Sequence, residues 1–347
     1  MVPELPEVLT ARAYGFDALR PEIRAGELIR LRPGAYLPPA LPDTPAWKLR
    51  RRTVLARCVA VTRKFRTPFA FSHATAALIY GWIDSVPDDG VHLVQTVNPG
   101  AGQPEDVTRH VRRDLAELDV TTVAGLPVTG VAQTVIDCAR SLPPPEALAV
   151  VDGALRTVAR MSTFRRSESE ARQALVRDRL RTRLERLGSA RGVRRARMVL
   201  ELADGFAANA GESRMRWVAL RGGLPVPVCQ YELWVDGRQY FADAAWVGEA
   251  ADRPTLVIAE FDGNVKYGGA AGAAAVAAEK RREDAIRRRH GAEFVRLIWP
   301  TLLHPDVAFR ELLEAFPPGC VPLLHPRSEL QIRPASWRRD RRSSANS

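Results

Sequence analysis

The stretch Thr255 to Lys266, TLVIAEFDGNVK, constrains the fold of this chain more than any other. Leu256, Val257, Ile258 and Ala259 form an apolar run of the length a buried central strand needs, and the run ends abruptly in Glu260, Phe261, Asp262 and Gly263. Side chains two apart in a strand share a face, so Glu260 and Asp262 point the same way. Upstream, Tyr240 to Trp246 (YFADAAW) reads as a second strand carrying Asp243, and Val247 to Pro254 between the two has turn-type composition. An antiparallel pair of these strands puts Asp243 beside Glu260.

Crowded carboxylates repel one another, and they stay ionised by binding a cation or by sitting among Arg and Lys. Mg²⁺ chemistry fits this arrangement: held by one or two carboxylates together with waters and substrate phosphate oxygens, such an ion activates a water and offsets charge on a cleaved phosphodiester. The alternative is a solvated strand end. The order of features along the chain favours the site: Gly211, Glu212 and Ser213 open a helix, GGLPVP follows, then Asp243, then Glu260 with Asp262 and Gly263. A basic helix, Glu279 to Arg289 (EKRREDAIRRR), and a strand-like Ala292 to Trp299 (AEFVRLIW) complete it.

This order, over Gly211 to Leu303, resembles the very-short-patch-repair endonuclease-like domains of the PD-(D/E)xK nuclease superfamily. The resemblance implies a restriction-endonuclease-like α/β domain with a central mixed sheet, Glu212 as the acid from the first helix, and Asp243 and Glu260 as the metal pair. Where the superfamily has Lys two residues after the second acid, this chain has Asp262. Lys266, Lys280 or Arg282 then becomes the candidate for the missing base. The catalytic candidates are Glu212, Asp243, Glu260, Asp262 and Lys266.

At 347 residues two or three domains are expected. With 51 basic against 40 acidic residues, a net charge of +11 and a pI near 10.1, the surface favours polyanions, and DNA is the leading partner. Cys58, Cys138, Cys229 and Cys320 lie far apart, without CxxC spacing, and indicate no zinc or disulfide framework. No window approaches 18 uninterrupted apolar residues, and the start MVPELPEVL lacks the pattern of a secretory leader, so no membrane partner and a cytoplasmic location are expected.

Glu4 to Ala13 has helix-forming composition, Gly15 breaks it, and Asp17 is a candidate N-cap for a helix through Ala25, with Pro21 in its first turn. In GELIRLRPGAYLP, Leu28 to Arg32 alternate, Pro33 and Gly34 turn the chain, and Ala35 to Leu37 return. Two helices followed by a basic hairpin is the plan of a winged helix, with Arg20 and Arg24 on the groove-facing helix and Arg30 and Arg32 on the wing. The stretch looks like the N-terminal domain of AbiEi-type antitoxins, with one helix fewer than usual. Residues 46–160 resemble the middle α+β region that follows it there: a basic helix Trp47 to Phe65, a helix capped by Ser72, strands at Val91 to Val97, Val107 to Arg112 and Val120 to Val128, then helices at Thr129 to Ser141 and Glu146 to Arg160. No chemistry is read in it; His73 and Asp137 read as a cap neighbour and a helix carboxylate.

Between Arg156 and Glu201 stand fourteen Arg and five acidic residues, expected in one or two long helices on which Leu175, Leu180, Leu184 and Leu187 recur near helical spacing. The expected plan is mixed α+β: a winged helix at 1–40, a middle domain at 46–160, a basic helical linker at 161–205, a nuclease-like domain at 206–318 with Lys280, Arg282 and Arg287 facing nucleic acid, and a disordered basic tail at 328–347. Three functions fit this plan: a Mg²⁺-dependent DNA endonuclease; an AbiEi-type antitoxin and transcriptional autoregulator with an inactive nuclease fold and a nucleotidyltransferase-like toxin as partner; and a structural interaction module.

Overall fold

The computed structural model describes residues 3–86, 89–97, 106–112, 119–250, 253–263 and 270–332. The chain is mixed α+β, with twelve α-helices and three sheets among the described residues. It forms two compact units, residues 1–142 with 178–188 and residues 143–177 with 189–347.

The first unit opens with β1 (Leu9–Thr10), α1 (Ala11–Tyr14), α2 (Phe16–Ala25), β2 (Ile29–Arg32) and β3 (Ala35–Leu37), the strands forming an antiparallel sheet in the order β1-β3-β2. The helix expected over Glu4 to Ala13 does not form as one piece, because Pro6 lacks an amide proton and Leu9 and Thr10 pair instead with Tyr36 and Ala35. Helix α2 starts one residue before Asp17, after Gly15 at φ 82°, ψ 141°, a conformation open to glycine. Pro21 therefore lies beyond the first turn and costs the helix a ladder hydrogen bond. Leu19, Leu28 and Tyr36 pack together, and Val8, Ala35 and Leu37 pack on α3 (Ala46–Lys64) through Ala56, Val59 and Ala60.

A five-stranded mixed sheet, in the order β6-β5-β4-β8-β7, follows: β4 (Phe69–Phe71), α4 (His73–Ile79), β5 (Val91–Gln95), β6 (Val107–Val111), β7 (Thr121–Val123), β8 (Leu126–Val128) and α5 (Val131–Ser141). Strand β4 is short enough to be hidden in the sequence by the helical pattern after it. The tight β7–β8 hairpin turns through Ala124 (φ 49°) and Gly125 (φ 75°), the positive pair a two-residue hairpin loop requires.

The second unit contains α6 (Pro144–Val158), most of α7 (Arg166–Glu185, of which 178–185 belong to the first unit), α8 (Val193–Leu202) and α9 (Ala210–Gly222). The two helices expected in the Arg-rich stretch are thus present. Leu180 and Leu184 are buried, whereas Leu175 is 61% exposed and does not continue their stripe. Strands β9 (Val228–Val235), β10 (Arg238–Ala250) and β11 (Arg253–Asp262) run antiparallel in sequence order, then α10 (Ala270–His290) crosses over and β12 (Ala292–Ile298) pairs parallel to β11. Helices α11 (Trp299–Leu302) and α12 (Pro305–Glu314) close the unit.

The stretch from Val247 to Pro254, expected as a loop, is largely ladder: Val247 pairs with Leu256, Gly248 with Thr255 and Glu249 with Pro254. Cross-strand pairing overrode the turn-type composition there. Leu256 and Ile258 pack with Ala245 and with Ile286 of α10, which fixes one face of the sheet. On α9, a Cβ at Gly211 would stand 2.2 Å from the Phe261 ring, so glycine is what lets this helix lie against β11.

Candidate functional site

Asp243 lies where the expected pairing puts it. Ala244 opposes Ala259, which brings Asp243 next to Glu260, and Asp243 Oδ2 accepts from the Phe261 amide at 2.8 Å. Glu212 stands in the first turn of α9. Asn209 caps that helix, its Oδ1 accepting from the amides of Gly211 (2.8 Å) and Glu212 (3.0 Å). Glu212 in turn accepts from the Ala208 amide (2.7 Å) and from Asn209 Nδ2 (2.6 Å), a reciprocal arrangement of capping-box type. Gln230 joins the two acids, its Nε2 donating to Glu212 Oε2 (3.2 Å) and Asp243 Oδ1 (3.5 Å).

Glu260 is held differently. Nη2 of Arg282, on α10, donates to both its oxygens at 3.0 and 2.9 Å, and Arg296, opposite it on β12, reaches Oε2 at 3.4 Å. The same two guanidinium groups bind Glu279, and Arg296 lies 3.6 Å from Glu283. Burial pushes Glu212 up to about 7, with the Asp243 charge adding to it. Burial raises Asp243 as well, and raises Glu260 although Arg282 pulls it down.

A Mg²⁺ ion at these residues would have to displace protein donors and the Arg282 guanidinium group. Such an ion needs ionised carboxylates with free lone pairs, and its waters need room. Here Glu212 is occupied by three donors, Asp243 by Phe261 and Gln230, and Glu260 by Arg282, whose positive charge stands against the carboxylate itself. Asp262 ends β11 and is half-buried; Lys266 lies outside the described residues, as does 333–347 of the expected tail.

Among the basic candidates, Arg20 and Arg24 are exposed one turn apart on α2, and Arg30 is exposed on β2. Arg32 is not: it is 5% exposed and pairs with Asp106 at 3.5 Å. A bulge between Arg30 and Arg32 shifts the register and breaks the alternation that would have kept both on one face. Two of the Arg residues that open α3 are also paired, Arg50 with Asp89 (3.0 Å) and Arg51 with Asp84 (2.6 Å). Lys280 is exposed, whereas Arg287 binds Glu283 (2.8 Å) and Glu293 (3.1 Å) and stacks over Phe294.

Sequence reasoning passed over one grouping. His73 follows β4, His92 is on β5 and His110 is on β6, and the structure brings their rings together. The only signal was that two strands each carry one histidine, and the strand order that makes them neighbours is not legible in their spacing.

Comparison with known proteins then bears on what these features serve. Residues 69–202 match the model of the AbiEi antitoxin C-terminal domain. Two Mycobacterium tuberculosis proteins, Uncharacterized protein MT2308 of strain CDC 1551 / Oshkosh and Uncharacterized protein Rv2248 of strain ATCC 25618 / H37Rv, are each 33% identical over 173 residues. That stretch is 50% of this chain and spans little more than half, 56%, of each relative. The crystal structure of RV2827C protein from the same organism aligns with 56% of this chain and 76% of its own at 16% identity and a TM-score of 0.31. The matched family span contains the five-stranded sheet of the first unit and all three histidines, and it ends before Glu212. Among the described residues no helix is long and apolar enough to cross a membrane.

Proposed function

We propose that this protein is a DNA-binding antitoxin of the AbiEi type that represses its own transcription and has a nucleotidyltransferase-like toxin as its partner. The observation that carries this reading is the match over residues 69–202 to an antitoxin domain. Two physical facts support it. The net charge of +11 favours a polyanion, and Arg20, Arg24 and Arg30 are exposed on a helix and hairpin where a winged helix would meet DNA. In this reading Glu212, Asp243 and Glu260 serve structure: Glu212 supports the Asn209 cap of α9, Asp243 ties β10 to Phe261, and Glu260 anchors Arg282 and Arg296.

The test uses the full chain and supercoiled plasmid, with and without Mg²⁺ or Mn²⁺. Retarded but intact DNA in every metal is expected. Metal-dependent nicking that Asp243→Ala and Glu260→Ala abolish would replace the regulator with an endonuclease. The toxin partnership is read separately, by whether co-expression restores growth to cells arrested by a nucleotidyltransferase-like toxin.

A further inference from the structure

Two strands of the first unit's five-stranded sheet and the helix start that follows a third converge on one spot. In the parallel β5–β6 pair, His92 opposes Thr108 and Val94 opposes His110, so His92 and His110 lie two positions apart on one face. Strand β4 runs antiparallel on the other side of β5, and the Ser72 amide donates to the His92 carbonyl at 3.0 Å, which sets His73 beside them. His92 Nδ1 and His110 Nε2 stand 3.1 Å apart, and the rings of His73 and His110 stack at 3.9 Å. One nitrogen or other ligand atom from each of the three residues lies within 4.8 Å of those of the other two.

We propose that His73, His92 and His110 form a three-imidazole site for a late first-row divalent ion of the Zn²⁺ class. Two nitrogens bound to one tetrahedral Zn²⁺ at about 2.0–2.1 Å stand roughly 3.3 Å apart, close to the spacing His92 and His110 already hold. Imidazole suits Zn²⁺, Co²⁺ and Ni²⁺ rather than Mg²⁺, and three protein ligands leave one coordination position for water. Ser72 supplies the support such ligands need: its Oγ is 3.0 Å from His73 Nδ1, which orients the ring and leaves Nε2 for the ion. His73 holds this position at φ 53°, a backbone conformation uncommon outside glycine. Arg112 and Arg140 are the nearby cations, and Arg112 is offset by Asp137 at 3.4 Å.

The site is independent of the antitoxin reading and is tested without DNA. Full-length protein is titrated with ZnCl₂ in competition with a chromophoric chelator, and separately with CoCl₂ while visible absorption is recorded. One equivalent of ion and the ligand-field bands of a nitrogen-rich Co²⁺ site are expected. His92→Ala and His110→Ala should each weaken binding about tenfold or more, whereas His290→Ala and Glu260→Gln should leave it unchanged. Absence of both Zn²⁺ retention and Co²⁺ bands in the unsubstituted protein overturns the proposal whatever the variants do. So does binding that survives both histidine substitutions.

Discussion

Glu212 shows how one buried carboxyl acts on the whole molecule. Its pKa is raised from 4.5 to about 7, first by burial and then by Asp243, so between these values the folded chain holds a proton that the unfolded chain has released. The stability this contributes is fully present below about pH 4.5 and is lost as pH rises through about 7. His73 and His110, lowered by burial to about 2 and about 4, work in the opposite sense below their ordinary 6.5. The readout is therefore a difference: urea midpoints measured from pH 4.5 to 8 should fall more steeply with rising pH in the wild type than in Glu212→Gln. Parallel curves would show that Glu212 titrates normally. A second buried charge makes a larger claim. Arg216 and Asp152 are fully buried 2.7 Å apart, and Asp152 Oδ1 also accepts from the Asp204 amide. Removing one partner strands the other, so Asp152→Ala should cost about 3–5 kcal/mol in chemical denaturation. A loss under about 1 kcal/mol would mean that water reaches Arg216 once the carboxylate is gone.

At the scale of elements, α9 and β11 make one very close fit. Gly211→Ala pushes a methyl group into the Phe261 ring and should destabilise by about 1–3 kcal/mol, with Phe261→Leu in the same chain recovering part of the loss. If the double variant is no more stable than the single one, the two elements do not meet at this point. The same strand shows what was legible in the sequence. The apolar run before Glu260, the position of Asp243 opposite it and the helix opened by Gly211 all follow from local pattern, and all are present. What local pattern does not carry is the choice of partner. Nothing in the spacing of Glu260 says that Arg282, one crossover later, takes both its oxygens. Nor does alternation in Leu28 to Arg32 show the bulge that turns Arg32 toward Asp106. The three histidines were hidden for the same reason, because the order of β4, β5 and β6 across the sheet is a tertiary fact.

At the scale of the whole molecule, the net charge of +11 makes non-specific attraction to DNA nearly unavoidable, so retardation of DNA at low salt would not by itself support a regulator. The discriminating quantity is how affinity changes with salt and with particular side chains. Each phosphate contact adds about 0.9 to the slope of log affinity against log salt on duplex DNA. If Arg20 and Arg24 both face the backbone, the double variant Arg20→Ala/Arg24→Ala should lower that slope by about 2 and weaken binding alike on every sequence. Arg32 provides the internal control. Bound to Asp106 and buried, it is not placed to contact phosphate and release counterions, and Arg32→Gln should leave the salt slope unchanged while lowering thermal stability. A winged helix lying on DNA predicts this split between two arginines on a helix and one beneath the hairpin, whereas diffuse charge attraction predicts that all three count alike. Binding measured by fluorescence anisotropy from 50 to 300 mM salt separates them, and equal slopes for all the variants would remove the winged-helix interface from the reading while leaving the antitoxin match over residues 69–202 in place.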